Sequence, residues 1–280
     1  MRDPRRRSPP GPSTFIRYAG LASCAGLAAC AAMPLPGPSV GFGLDSPVRE
    51  LAASASASAP PERMLHAYAL RIQTLGAGPE GRVDVLGRQA WLPDGSLVSV
   101  TGSQGAGVFG MSRSIGLCGL VSLRLDTALA DRAYLPGDPA RSDDVHFTDA
   151  ARLEATTRMR ATGLQVEGQP CAPLPGAEFG IVLQTRTIPA GEGAIGRVPL
   201  AAEVRYACRA GTAFEPANRL HPELPGEMLR VDCRRSAATD VRGGHLAYAW
   251  IASSGVYLLT GHRGQDVAQH YVYTDVVLGP

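Results

Sequence analysis

The residues best placed to do chemistry lie late in the chain, where His262, Arg263, Asp266 and His270 follow one another closely. A histidine beside a carboxylate is the pair that acid–base hydrolysis needs, with a serine or water as nucleophile. The same residues alternate with Tyr248, Trp250, Tyr257, Tyr271 and Tyr273. Aromatic anchors mixed with Arg and His are also the composition of a protein-recognition edge. The plainer reading, and the preferred one, is a solvated loop above a tyrosine-lined sheet.

Other arrangements carry less. Gly105-Ala106-Gly107-Val108-Phe109-Gly110 is a literal GxGxxG, with Asp126 further on. A dinucleotide site needs that loop to open a helix within a βαβ unit. Here Gly116 and Gly119 follow and no such alternation does, so the segment reads as a turn between strands and no cofactor is expected. There is no Gly-x-Ser-x-Gly elbow, and the six histidines show no metal-binding spacing. All 27 basic residues are Arg, which excludes P-loop, Schiff-base and Ser-Lys chemistry.

Cys118, Cys171, Cys208 and Cys233 lack a Cys-x-x-Cys pattern and are expected to form disulfides rather than a metal site. Cys208 and Cys233 each sit in or at the end of a strand, and the Gly/Pro-rich stretch between them can return the chain antiparallel. The pairs expected are therefore Cys208 with Cys233, and Cys118 with Cys171 by elimination.

The elements that position these residues read as strands. Leu229, Val231 and Cys233 alternate with Arg230, Asp232 and Arg234, as a half-buried strand requires. Leu246, Tyr248 and Trp250 share one side of 245–251, and 267–278 is rich in β-branched and aromatic residues. Further strands are expected over 65–74, 82–91, 97–101, 118–125, 179–188 and 198–208. The segment 152–162 fits both a strand and a helical stripe, and its threonines favour the strand. About ten short strands with few helices predict an all-β, disulfide-braced sandwich or barrel over 64–280, or two small packed β units dividing near 170–175.

The N-terminus is of another kind. Arg2, Arg5, Arg6, Arg7 and Arg17 precede an apolar stretch ending in Leu27-Ala28-Ala29-Cys30. This order resembles the signal and lipobox of bacterial lipoproteins. The resemblance implies a signal peptide over 1–29 and a lipid-modified Cys30. Leu21-Ala22-Ser23-Cys24 offers a second register with a shorter apolar core, and cleavage as an ordinary secreted protein is the alternative. Pro34, Pro36 and Pro38 interrupt the apolar run, which argues against a spanning helix. By the same resemblance, Ala31 favours an outer-membrane location facing the periplasm. The segment 30–63, rich in Ala, Ser and Pro, is expected to be a disordered tether. Without the leader, 22 Arg face 24 acids, so the chain offers no basis for nucleic-acid binding.

Tyr206-Ala207-Cys208 and Ser254-Gly255-Val256-Tyr257 follow the order of a Tyr-x-Cys and a Ser-Gly turn with Tyr. In this the last 80 or so residues resemble the membrane-bound inhibitors of c-type lysozyme, although the spacing differs and the Lys-Gly of that family is missing. The resemblance implies that Ser254 and Tyr257 face a lysozyme cleft. The leading expectation is a lipid-anchored envelope protein, non-enzymatic, with a protein partner or a structural role. A His262/Asp266 hydrolase and a lysozyme-inhibitor-like lipoprotein are its alternatives.

Overall fold

A computed structural model describes residues 43–56, 64–76, 81–92, 95–105, 108–129, 157–189, 199–237 and 240–279. The signal segment, Cys30 and the acylation register lie outside them. Helix α1 spans Ser46–Ala55. The strands are β1 (Met64–Thr74), β2 (Arg82–Trp91), β3 (Leu97–Gly105), β4 (Val108–Leu117), β5 (Val121–Leu129), β6 (Thr157–Glu167), β7 (Glu178–Pro189), β8 (Leu200–Ala210), the two-residue β9 (Glu215–Pro216), β10 (Glu227–Ala237), β11 (Asp240–Ile251), β12 (Val256–Arg263) and β13 (Ala268–Gly279).

Every pairing is antiparallel. The ribbon β1 to β8 continues through β10 to β13, and β13 pairs back onto β1, so twelve strands close into a barrel with β9 as a short appendage on β10. Of the architectures expected, this is the barrel. One sheet runs unbroken across 170–175, because β6 and β7 pair along their whole length and the loop between them is bonded to the β4–β5 turn by Cys118–Cys171. A division into two β units is thereby corrected.

The register fixes which side chains face inward. On β10, Leu229, Val231 and Cys233 are buried while Arg230, Asp232 and Arg234 are exposed. Carried from strand to strand, the same alternation puts Glu167, Glu178, Arg186, Glu203, Arg205 and Arg209 outside on β6 to β8. A membrane-spanning barrel needs an outward apolar band about 25 Å tall. The charged wall of β6 to β10 therefore faces water. No helix among the described residues is long and apolar enough to cross a membrane.

Cys208 and Cys233 are directly opposed on β8 and β10 and are disulfide-bonded, with Cα atoms 4.0 Å apart. Both bridges join the pairs expected from the sequence. Each is worth about 3–4 kcal/mol through the loop it closes in the unfolded chain.

Two sequence expectations need correction. Ser46–Ala55, within the expected tether, is helical: Pro47 starts the helix, and Val48 and Ala52 are 2% and 1% exposed in the main core cluster. Leu44, Val48 and Ala52 recur every four residues, and that stripe supplies the burial that orders the helix. The second is an unexpected strand: the turn expected in the glycine-rich segment joins Gly105 to Val108, and Val108–Leu117 beyond it pairs as β4.

Candidate functional site

The barrel interior divides by height. At one end the β4–β5 turn folds across the opening, with the Tyr257 amide donating to the Cys118 carbonyl (2.9 Å). The Tyr248 hydroxyl donates to the Leu120 carbonyl (3.2 Å), and the Tyr257 hydroxyl to that of Pro170. Leu117, Cys118, Leu123, Ile181, Leu229 and Val231 are buried here, filling the space as a packed floor.

Towards the other end buried and half-buried inward residues are mixed, Val276 and Tyr273 being buried and Thr101, Ser112 and Tyr206 half-buried. One line of directly opposed residues runs Val276, Tyr68, Gly87, Thr101, Ser112, Thr127, Thr157 across β13 and β1 to β6. Within it Thr101 and Ser112 share a hydrogen bond (2.6 Å). A second line runs Phe179, Cys208, Cys233, Leu246, His262, Gln269, Thr74. A twelve-stranded barrel encloses more than an eight-stranded one, whose interior side chains nearly fill or which holds one small ligand. Thr101, Ser112, Thr127, Tyr206, His262 and Tyr271 are half-buried on this inward face.

Six of the chain's eight tyrosines face inward: Tyr68, Tyr206, Tyr248, Tyr257, Tyr271 and Tyr273. Gly87 makes room for one of them, since a Cβ there would lie 2.2 Å from the Tyr68 ring. Tyr68 and Tyr273 meet edge to face at 5.9 Å, as do Tyr248 and Tyr257 at 5.8 Å. Burial raises the pKa of all six hydroxyls, most for Tyr248, Tyr257 and Tyr273, so the phenols stay protonated and can donate. Tyr273 donates to the Leu259 carbonyl (3.2 Å) and Tyr271 to Gln269 Oε1 (3.3 Å). The Arg235 guanidinium, opposite Tyr206 on β10, hydrogen-bonds the Tyr206 oxygen.

Of the four residues of the predicted surface cluster, Arg263, Asp266 and His270 are exposed at one end of the β12–β13 hairpin, and His262 departs from it. His262 faces inward, Arg263 and His270 lie on the outward face, and Asp266 is exposed in the β12–β13 turn. Successive positions of a strand point to opposite faces, so His262 and Arg263 cannot act together. Among the described residues no three His, Cys, Asp or Glu side chains gather to hold a metal. Ser254 is 0% exposed and Tyr257 4%. Neither can enter the cleft of another protein, which corrects the role implied by the lysozyme-inhibitor resemblance. The tyrosine-lined sheet is present, but the tyrosines line the inside of a closed barrel. The sequence does not single out Arg235 or Tyr68, and it offers Tyr206 only as part of its Tyr-x-Cys, because no spacing along the chain brings the three together. Only the period-2 alternation around each of them hinted at a shared face.

No protein family, curated protein or solved structure matches this chain. The class is accordingly set by the architecture alone, a closed twelve-stranded antiparallel barrel braced by two disulfides, with tyrosines on its inward face.

Proposed function

We propose that this is a non-enzymatic, lipid-anchored protein of the bacterial cell envelope whose barrel binds a small molecule in its cup. The observation that carries the binding role is the half-open inward wall of phenols and hydroxyls above a packed floor. Few convergent polar groups on an otherwise apolar, concave wall are the usual make-up of a small-molecule site. The anchor rests on the Arg-led apolar start and Leu27-Ala28-Ala29-Cys30. Two disulfides accord with an oxidising compartment, and Ala31 supports the outer membrane, facing the periplasm. The partners are then the membrane, through the lipid, and the ligand.

The cup is tested with the uncharged fluorophore N-phenyl-1-naphthylamine. It should bind one to one, and Thr101→Trp, which fills the cup, should abolish binding. Gln104→Trp, on the exposed outward face of the same strand, should not. Absence of binding to the wild type, or equal binding by both variants, overturns the reading. For the anchor, mass spectrometry should find diacylglycerol on Cys30, and Cys30→Ala should move the protein from the membrane to the soluble fraction. An unmodified Cys30 in a membrane-free protein would refute it.

A further inference from the structure

The outer wall is unevenly charged. Outward positions of β4 to β7 bring five arginines together: Arg113 is opposite Asp126, which is opposite Arg158, and in the next line Arg124, Arg160 and Arg186 are opposed in turn. Three arginines directly opposed across three strands repel one another. Asp126 lies among them, 3.5 Å from Arg113 and 3.4 Å from Arg124. Burial lowers the pKa of both these arginines; Asp126 raises it in part, and the neighbouring arginines lower it again. One carboxylate does not offset five guanidiniums.

Other acids are placed elsewhere or already paired. Glu167 lies seven residues along β6 from Arg160, about 20 Å away, beyond the screening length of ~10 Å at 0.1 M salt. Glu178 is paired with Arg209 (3.8 Å) and Glu203 with Arg205 (2.6 Å). Helix α1, which packs beside β6, adds Asp45 at its cap, Arg49 and Glu50. Six arginines then stand against three acids. Arg158 and Arg186 are exposed and Arg160 is half-buried, so this charge is open to a partner.

The chain joins the barrel at the same face, where the Arg124 guanidinium donates to the Gly43 carbonyl (3.0 Å). Thirteen residues separate Gly43 from Cys30, no more than about 45 Å of chain. A lipid on Cys30 holds this side of the barrel closest to the headgroups. Resting on the anchor proposed above, we infer that the arginine face of β4 to β7 docks on the bilayer itself, binding anionic phospholipid headgroups. Arg158, Arg160 and Arg186 meet the phosphates, and Arg113 and Arg124 add their field from behind. The barrel thus rests its side on the membrane.

Vesicles test this without the anchor. Mature protein, residues 30–280 with Cys30→Ala, is sedimented with vesicles of equal phosphatidylglycerol and phosphatidylcholine, and with phosphatidylcholine alone; omitting 1–29 removes the arginines of the leader. It should bind the anionic vesicles, lose that binding as salt rises, and ignore the neutral ones. An arginine near an anionic surface is worth about a fivefold change in binding. Arg158→Gln, Arg160→Gln and Arg186→Gln together should therefore weaken it at least about tenfold. Arg82→Gln, Arg234→Gln and Arg263→Gln together remove equal charge from exposed sites on β2, β10 and β12 and should change it less than about threefold. Melting temperatures show that the barrel is intact; if the first triple variant unfolds, Arg158→Gln with Arg186→Gln is read instead. Equal losses from the two sets would mean that only total charge counts, and the inference falls. It falls too if the anionic vesicles are not bound. Binding that appears only with Asp138→Asn, Asp143→Asn and Asp144→Asn would give the face to residues 130–156, which join β5 to β6, and overturn it as well. The anchor is judged separately by mass spectrometry: lipid on Cys30 with no vesicle binding leaves the anchor standing and removes the docking face, and vesicle binding with no lipid does the reverse.

Discussion

Gly87→Ala tests the inward register at a single atom. In an open strand an alanine is worth about 0.5–1 kcal/mol more than glycine, because it restricts the unfolded chain and adds a side chain to pack. At position 87 the new methyl would sit 2.2 Å from Tyr68 Cζ and 2.5 Å from Cε2, where no carbon can sit. The Tyr68 ring cannot retreat freely, because Tyr273 lies against it and Ser99 hydrogen-bonds its hydroxyl. Overpacking of this kind costs about 1–3 kcal/mol. Net of the alanine's gain, the variant should lose about 1–2 kcal/mol, a melting shift of about 2–8 °C for a domain of this size. In a Tyr68→Leu background the clash is gone and the same substitution should stabilise by about 0.5–1 kcal/mol. Urea unfolding of the four proteins, followed by circular dichroism with the disulfides intact, gives the coupling, expected near 2 kcal/mol. Effects that add to within about 0.5 kcal/mol would mean that residues 68 and 87 do not share the inner face, and the cup described above would be wrong.

Other outcomes follow from the same structure. Replacing Cys208 and Cys233 together by serine should cost about 3–4 kcal/mol in urea unfolding; peptide mapping without reductant should recover this pair and Cys118 with Cys171, and any other pairing counts against the barrel. Val48→Asp places a charge at a site 2% exposed and should destabilise the barrel by at least about 3 kcal/mol, whereas a segment that served only as a tether would tolerate it. Raised phenol pKa values have no effect below pH 10, where folded and unfolded chains both keep the proton; above it the unfolded chain ionises first. Stability should therefore fall by about 1.4 kcal/mol per pH unit for each of Tyr248, Tyr257 and Tyr273. Phenolate absorbance should rise together with unfolding, and a smooth titration of the native protein near pH 10 would contradict their burial.

The strands were legible because burial on one face alone imposes alternation, as in Leu229 to Arg234 and His245 to Ile251. β4 was obscured because Gly110 and Gly116 leave its pattern incomplete, and a Gly-rich run reads as a turn. Helix α1 was missed because its stripe of Leu44, Val48 and Ala52 is sparse among small residues that also suit a flexible chain. The site was half visible. Alternation correctly groups Tyr248 with Trp250, and Tyr271 with Tyr273. Alternation cannot say whether the apolar side of a strand turns towards a solid core or towards a hollow; that depends on how many strands close the ring, which no local pattern records.

The hydrogen bonds that shut the ring join Met64–Thr74 to Ala268–Gly279. Until the second of these has been synthesised, the polypeptide is a ribbon with two bare margins, each offering unused amides and carbonyls to any neighbour. Speed of assembly, or a shielding companion, thus matters more here than for a protein that completes itself piece by piece. A fragment stopping before Ala268 is expected to stick to its own copies instead of persisting as a smaller barrel.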